Sequence, residues 1–140
     1  MPGPFEAAGA TVRVLVSSRR TAGRYTVCEV EAPARAGVPL HSHAYEDNYF
    51  YVLAGLFDFR IGTRDVEAAP GFGLFIPRGT AFALRNRGGA TGRLMVFARP
   101  GGLDLLARDL AALEGAAELG AVLDKHGIAI PSNSGEPGDV

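Results

Sequence analysis

The chain has 140 residues, 47 % of them hydrophobic, and a formal net charge of −1, which is enough apolar content for one core and too little length for two ordinary domains. Its acids and arginines are dispersed, so no basic stripe points to nucleic acid and no polybasic or amphipathic signature points to a membrane surface. One cysteine, Cys28, excludes an internal disulfide framework, and its place in the strand-like run YTVCEV predicts a buried, inert thiol. The start MPGPFEAAGA lacks the basic and apolar regions of a secretory signal, so the expected compartment is the cytoplasm.

In chain order, residues 1–10 carry no periodicity and are expected to form a flexible arm. TVRVLVS and RYTVCEVEA alternate apolar with polar residues and predict two neighbouring, paired strands around a polar turn. PARAGVP reads as a loop delivering the chain to His41. NYFYVLAG is an aromatic, β-branched strand that ends at Gly55, and LFDFRIG is expected to return antiparallel to it with Phe57 and Phe59 on one face. RDVEA, FGLFIP, AFALRN and RLMVFARP follow as short strands punctuated by Gly and Pro, the pattern of an all-β barrel or jelly roll over residues 11–100. Beyond Gly101 the period lengthens. Leu103, Leu106, Leu110 and Leu113 mark one face of a helix expected on the barrel exterior, AELGAVLDKHG predicts a second helix ended by Gly127, and residues 131–140 are expected to be disordered.

The chemistry concentrates at His41 and His43. Side chains two apart on a strand share a face, with Cβ atoms roughly 6 to 7 Å apart, so two imidazoles converge at what reads as a strand entrance. Such a pair suits either metal ligation or metal-free proton transfer. His126, beside Gly127 at a helix end, is expected to be a solvated C-terminal imidazole.

The spacing of Gly37, His41, His43, Asn48 and Gly55 resembles the first cupin motif, and that of Gly71, Pro77, Gly79, Phe82 and Asn86 resembles the second. The resemblance implies a small one-domain cupin, a double-stranded β-helix barrel with its site inside the mouth, related to quercetin-dioxygenase-like proteins and expected to be a homodimer. Cupin metal sites take the two histidines and the Glu of the first motif and the His of the second. This chain keeps His41 and His43, but Asn48 and Phe82 stand at the other two positions, a degenerate metal site. Two imidazoles and an amide hold a divalent ion weakly, because Fe(II) or Mn(II) gains much from an anionic oxygen ligand. A bulge that turns Asp47 inward would restore a facial triad of His41, His43 and Asp47.

Three functions follow. The leading one is a small-molecule enzyme of cyclase, isomerase or lyase type, with no cofactor, in which His41 and His43 move protons, Asn48 orients an apolar or aromatic substrate of natural-product character, and Phe50, Phe82 and Leu84 form the wall. The second is a metal-dependent dioxygenase or cyclase using Fe, Mn, Zn or Ni at His41, His43 and Asp47. The third is a non-catalytic ligand-binding cupin.

Overall fold

The computed structural model describes residues 5–7 and 9–131. Its elements are β1 (Phe5–Ala7), β2 (Ala10–Val16), β3 (Thr26–Ala32), β4 (Gly37–His43), β5 (Asp47–Ala54), β6 (Phe57–Ile61), β7 (Arg64–Ala68), β8 (Gly73–Ile76), β9 (Phe82–Asn86), β10 (Gly92–Arg99), α1 (Leu103–Ala111), α2 (Leu119–Lys125) and β11 (Ile128–Ala129), with a 3₁₀ turn at Ala116–Glu118 before α2. Two antiparallel sheets, ordered β1-β2-β3-β10-β5-β8 and β11-β4-β9-β6-β7, face each other as a jelly roll. Strict alternation builds both walls. On β5, Asn48, Phe50 and Val52 are buried while Tyr49 and Tyr51 turn outward, and on β6 it is Phe57 and Phe59 that enter the core. No helix among the described residues is long and apolar enough to cross a membrane.

The pairing of β2 with β3 follows the expected hairpin. Elsewhere the structure corrects the sequence reading. The expected arm contributes a strand, because Phe5–Ala7 pairs with β2 and Ala7 is buried in a cluster with Ala107 of α1. Strand β4 begins at Gly37, within the expected loop, and tolerates Pro39 because the register shifts between Val38 and His41. The histidines therefore stand at the exit of their strand. β5 and β6 do not form a hairpin: β5 pairs with β10 and β8, while β6 pairs with β7 and β9, so the chain crosses from one wall to the other at Gly55, whose φ is 94°. Nor does α1 pack on the exterior. Leu103, Leu106, Ala107 and Leu110 line the same cavity as the histidines, so the helix closes the barrel mouth. The helical region also ends in a strand, β11, which pairs with Ser42 and His43 of β4. The tail expected to be disordered lies, from residue 132 on, outside the described residues.

His126 departs from its expected solvated role. It is buried, and its Nε2 lies 2.7 Å from Oδ2 of Asp109 on α1, an oxygen that also accepts from Lys125 Nζ at 3.0 Å. These hydrogen bonds, His126 first, hold the Asp109 carboxyl below the ordinary range. The pair ties α2 to α1 over the mouth. Asp104, in the first turn of α1, is buried and accepts from Ser18 N and Ser18 Oγ, both at 3.0 Å, and from Thr26 Oγ1 at 3.2 Å, fixing the helix to the six-stranded sheet. Burial, with the Asp104 charge, pushes the Cys28 thiol up to about 12, which leaves it unreactive.

Gly37 is where β4 comes closest to β9. A Cβ there would collide with Leu84 O and stand 2.8 Å from Arg85 Cα, backbone atoms that cannot rotate aside. Gly37→Ala is expected to cost about 1 to 3 kcal/mol, read as a lower urea midpoint at unchanged slope. An unmoved midpoint would show that the two strands can separate freely.

Candidate functional site

Strand β4 carries His41 and His43 into the barrel from one sheet and β5 carries Asn48 and Phe50 from the other, while β9 places Phe82 directly opposite His41 in register. All of these, with Leu84, line one inner cavity of about 330 Å³ that α1, α2 and β11 cover. The imidazole centroids are 5.0 Å apart at 64°. Phe82 lies against both, at 4.4 Å from His41 and 5.8 Å from His43, and continues through Phe50 at 5.6 Å to Phe59 as an aromatic wall. Among the described residues no Asp, Glu, Lys or Arg lines this cavity. A larger hollow, about 750 Å³, lies over β6, β7 and β9 among charged residues, several of them paired, such as Arg60 with Asp65 and Arg87 with Asp58. It contains no histidine, so the inner cavity is the candidate site.

Each imidazole is oriented by a bond at Nδ1. His41 Nδ1 lies 2.8 Å from the carbonyl oxygen of Pro39, which can only accept, so Nδ1 bears the proton and Nε2 keeps the lone pair. His43 Nδ1 lies 3.2 Å from Oε1 of Glu46, a buried carboxyl across the reversal between β4 and β5. The main chain of His43 is also held from both sides: its carbonyl accepts from Gly79 N at 2.8 Å, and β11 pairs alongside it. Glu46 escaped the sequence reading, which weighed Asp47 and Asn48 only. The signal was present as an acid three residues beyond His43, within reach across a tight turn.

Burial disfavours charge on His41 and lowers its pKa from 6.5 to about 4, with the neighbouring His43 adding to the effect and backbone hydrogen bonds at Pro39 and Phe82 opposing it. His41 is thus neutral at pH 7. Between about 4 and 6.5 the unfolded chain binds a proton that folded His41 refuses, so the stability His41 confers is complete above 6.5 and is lost as pH falls through that window. The loss is expected to reach roughly 3 kcal/mol, and His41→Gln should escape it. Denaturant curves for both proteins on either side of the window test this, and equal pH slopes would overturn it.

The carboxylate of Asp47 is not turned inward. It accepts from Arg78 N at 2.8 Å, Arg78 Nε at 3.2 Å and Arg99 Nη2 at 3.3 Å, bonds that hold its carboxyl well below the usual range, those from Arg78 foremost. These two guanidiniums lie on the outer side of the sheet, so the simple strand register prevails over the bulge that a His41, His43 and Asp47 triad requires. Glu46 is engaged with Nδ1 of His43, and Asn48 and Phe82 offer an amide and a ring. Among the described residues no group of three or more His, Cys, Asp or Glu is arranged to hold a metal ion. The donor set present does not fit a resident divalent cation.

The comparisons agree with this architecture. No curated protein matches the chain. Among solved structures, the polyketide cyclase RemF from Streptomyces resistomycificus is 31 % identical, with 70 % of this chain and 68 % of that one covered and a TM-score of 0.58. A predicted oxalate decarboxylase from Thermotoga maritima (20 % identity, 69 % and 91 % covered, TM-score 0.63) and KdgF from Halomonas sp. (18 % identity, 69 % and 84 % covered, TM-score 0.60) share the fold. The family model described as a cupin domain matches residues 28–98, half of the chain, and with the jelly roll and the two motifs on its walls this chain belongs to the cupin family.

Proposed function

We propose that this cupin is a cyclase that works by non-redox acid/base chemistry on an uncharged, apolar or aromatic polycarbonyl compound. The observation that carries the reading is His41, neutral at pH 7 and held at Nδ1 by the Pro39 carbonyl, in a cavity that no Asp, Glu, Lys or Arg among the described residues lines. The 31 % identity to a polyketide cyclase supports the same class. In a ring closure of aldol type, His41 Nε2 takes a proton from the carbon beside one carbonyl, and the resulting enolate carbon attacks a second carbonyl carbon of the same molecule. One C–C bond forms, and the electron pair of the attacked C=O becomes an alkoxide. The proton returns to that oxygen from His41, or through His43, whose ring is oriented at Nδ1 by Glu46. No external reactant is consumed. Asn48 supplies the amide that orients a carbonyl, and Phe50, Phe82 and Leu84 supply the apolar wall.

The first half of this cycle can be observed alone. With an aryl methyl ketone in deuterium oxide, the purified chain is expected to accelerate exchange of the methyl protons, followed by proton NMR. A chain that binds the ketone saturably yet leaves its exchange rate at the solvent value is a binding protein, and the cyclase reading falls.

A further inference from the structure

We infer that the hollow over β6, β7 and β9 is a second binding site, for a polar small molecule that carries a compact dianionic group, a phosphate monoester or a dicarboxylate. The inference is independent of the cyclase chemistry. Four arginines and three acids line the hollow, and the acids are already engaged. Asp65 accepts from Arg60 Nε at 2.9 Å and Nη2 at 3.2 Å. Asp58 stands opposite Arg85 in the ladder, yet its carboxylate turns to Arg87, at 3.0 Å from Nε and 2.8 Å from Nη2, and Glu67 pairs with Arg87 as well. Arg85 and Arg35 are left, among the described residues, without a carboxylate partner.

Both are placed by rigid backbone. Arg85 lies opposite Gly37 in register, and a Cβ on Gly37 would stand 2.9 Å from Arg85 Cβ, so the bare backbone of β4 makes room for the arginine stem. Arg35, two residues before that glycine, is third in the turn 33–36, which closes by Ala36 N donating to Pro33 O at 3.0 Å. Its φ is 67°, a conformation that glycine or asparagine adopts readily and arginine only at a cost. The turn is pinned: the buried Asn86 amide donates to Ala32 O at 3.0 Å and Pro33 O at 3.2 Å, and Asn86 N donates to Ala36 O at 2.8 Å. A strained backbone held in place by its surroundings points to a side chain with a task.

Charge and size select the ligand. A guanidinium is charged at any working pH, and its planar fork matches the paired oxygens of a carboxylate or phosphate, so two without counter-ions answer a dianion. At about 750 Å³ the hollow is far larger than one oxyanion and lies in the range of small-molecule sites. The anionic group therefore belongs to a larger polar molecule, whose body rests on Pro39 and Ala83. Two arginines beside three neutralised acids make no extended basic stripe, which sets nucleic acid aside.

Titration calorimetry of the full chain at neutral pH and low salt is expected to show one equivalent of phenyl phosphate or of succinate bound with a Kd below about 1 mM. The tighter of the two identifies phosphoryl or dicarboxylate recognition. Arg35→Gly and Arg85→Gln should each weaken binding by about 10-fold or more. Glycine suits the turn, so the fold of Arg35→Gly should persist, and that variant decides the matter if a melting curve shows Arg85→Gln to be perturbed. Arg20→Gln, exposed after β2 and outside the hollow, and His41→Gln, in the inner cavity, should bind as the wild type does. No saturable binding of either probe overturns the inference, as does binding that Arg35→Gly leaves unmoved. Loss of binding in His41→Gln would put the anion in the inner cavity and overturn it equally.

Discussion

His41→Gln is expected to lower the rate of proton transfer by about 10²- to 10⁴-fold, the usual contribution of a positioned acid or base, while the fold persists. Glutamine retains a polar group of similar reach, but its amide has no basic nitrogen, so the variant separates chemistry from packing. Binding should change little, because the wall that holds an apolar ligand is Phe50, Phe82 and Leu84. The loss therefore belongs in kcat rather than KM. Glu46→Gln should act differently. It keeps an acceptor oxygen for His43 Nδ1 and so preserves the orientation of that ring, and its defect in kcat should be smaller than that of His41→Gln. Stopped exchange assays with a melting curve for each variant would distinguish these outcomes. A His41→Gln protein with full activity would move the base elsewhere in the cavity, and one that unfolds would make His41 a structural residue.

What the sequence disclosed and what it concealed divide along physical lines. Alternation is local, so β2, β3, β5 and β9 could be read directly, and the two-residue period put His41 and His43 on one face with Asn48 and Phe50 on the facing wall. Pairing is not local. The alternation in LFDFRIG is satisfied by either sheet, and only the closed jelly roll decides that β6 joins β7 and β9 instead of returning beside β5. The leucine period of α1 likewise announced an apolar partner without saying which. The structure gives it the mouth of the barrel, which turns an expected outer helix into part of the site. His126 and Glu46 show two degrees of the same difficulty. Asp109 lies 17 residues from His126 on another helix, beyond any pattern, whereas Glu46 is three residues from His43 and was hidden only because a turn, rather than a strand period, brings them together.

The double substitution Asn48→Glu with Phe82→His is expected to create a strong divalent-metal site, whereas the wild type is expected to bind such ions no tighter than a surface histidine pair does. The side chains at both positions line the cavity that holds His41 and His43, and the rings of Phe82 and His41 are already 4.4 Å apart, so a carboxylate and a third imidazole would be added to the existing pair. The wild-type set lacks the anionic ligand that makes such a site strong: Asp47 is committed to Arg78 and Arg99, and Glu46 to His43. A metal at one hundred times its Kd stabilises the folded state by about 2.7 kcal/mol, so Mn(II), Fe(II) or Zn(II) should raise the melting temperature of the variant by several degrees and leave the wild type nearly unmoved. The apo variant should itself be weaker by about 1 to 3 kcal/mol, because Phe82 is almost fully buried against Phe50 and its replacement removes apolar packing. The metal-dependent shift within each protein is therefore the quantity to compare. Equal shifts in the two would mean that the wild-type residues already complete a site, and the metal-free acid/base reading would have to give way to metal chemistry at His41 and His43.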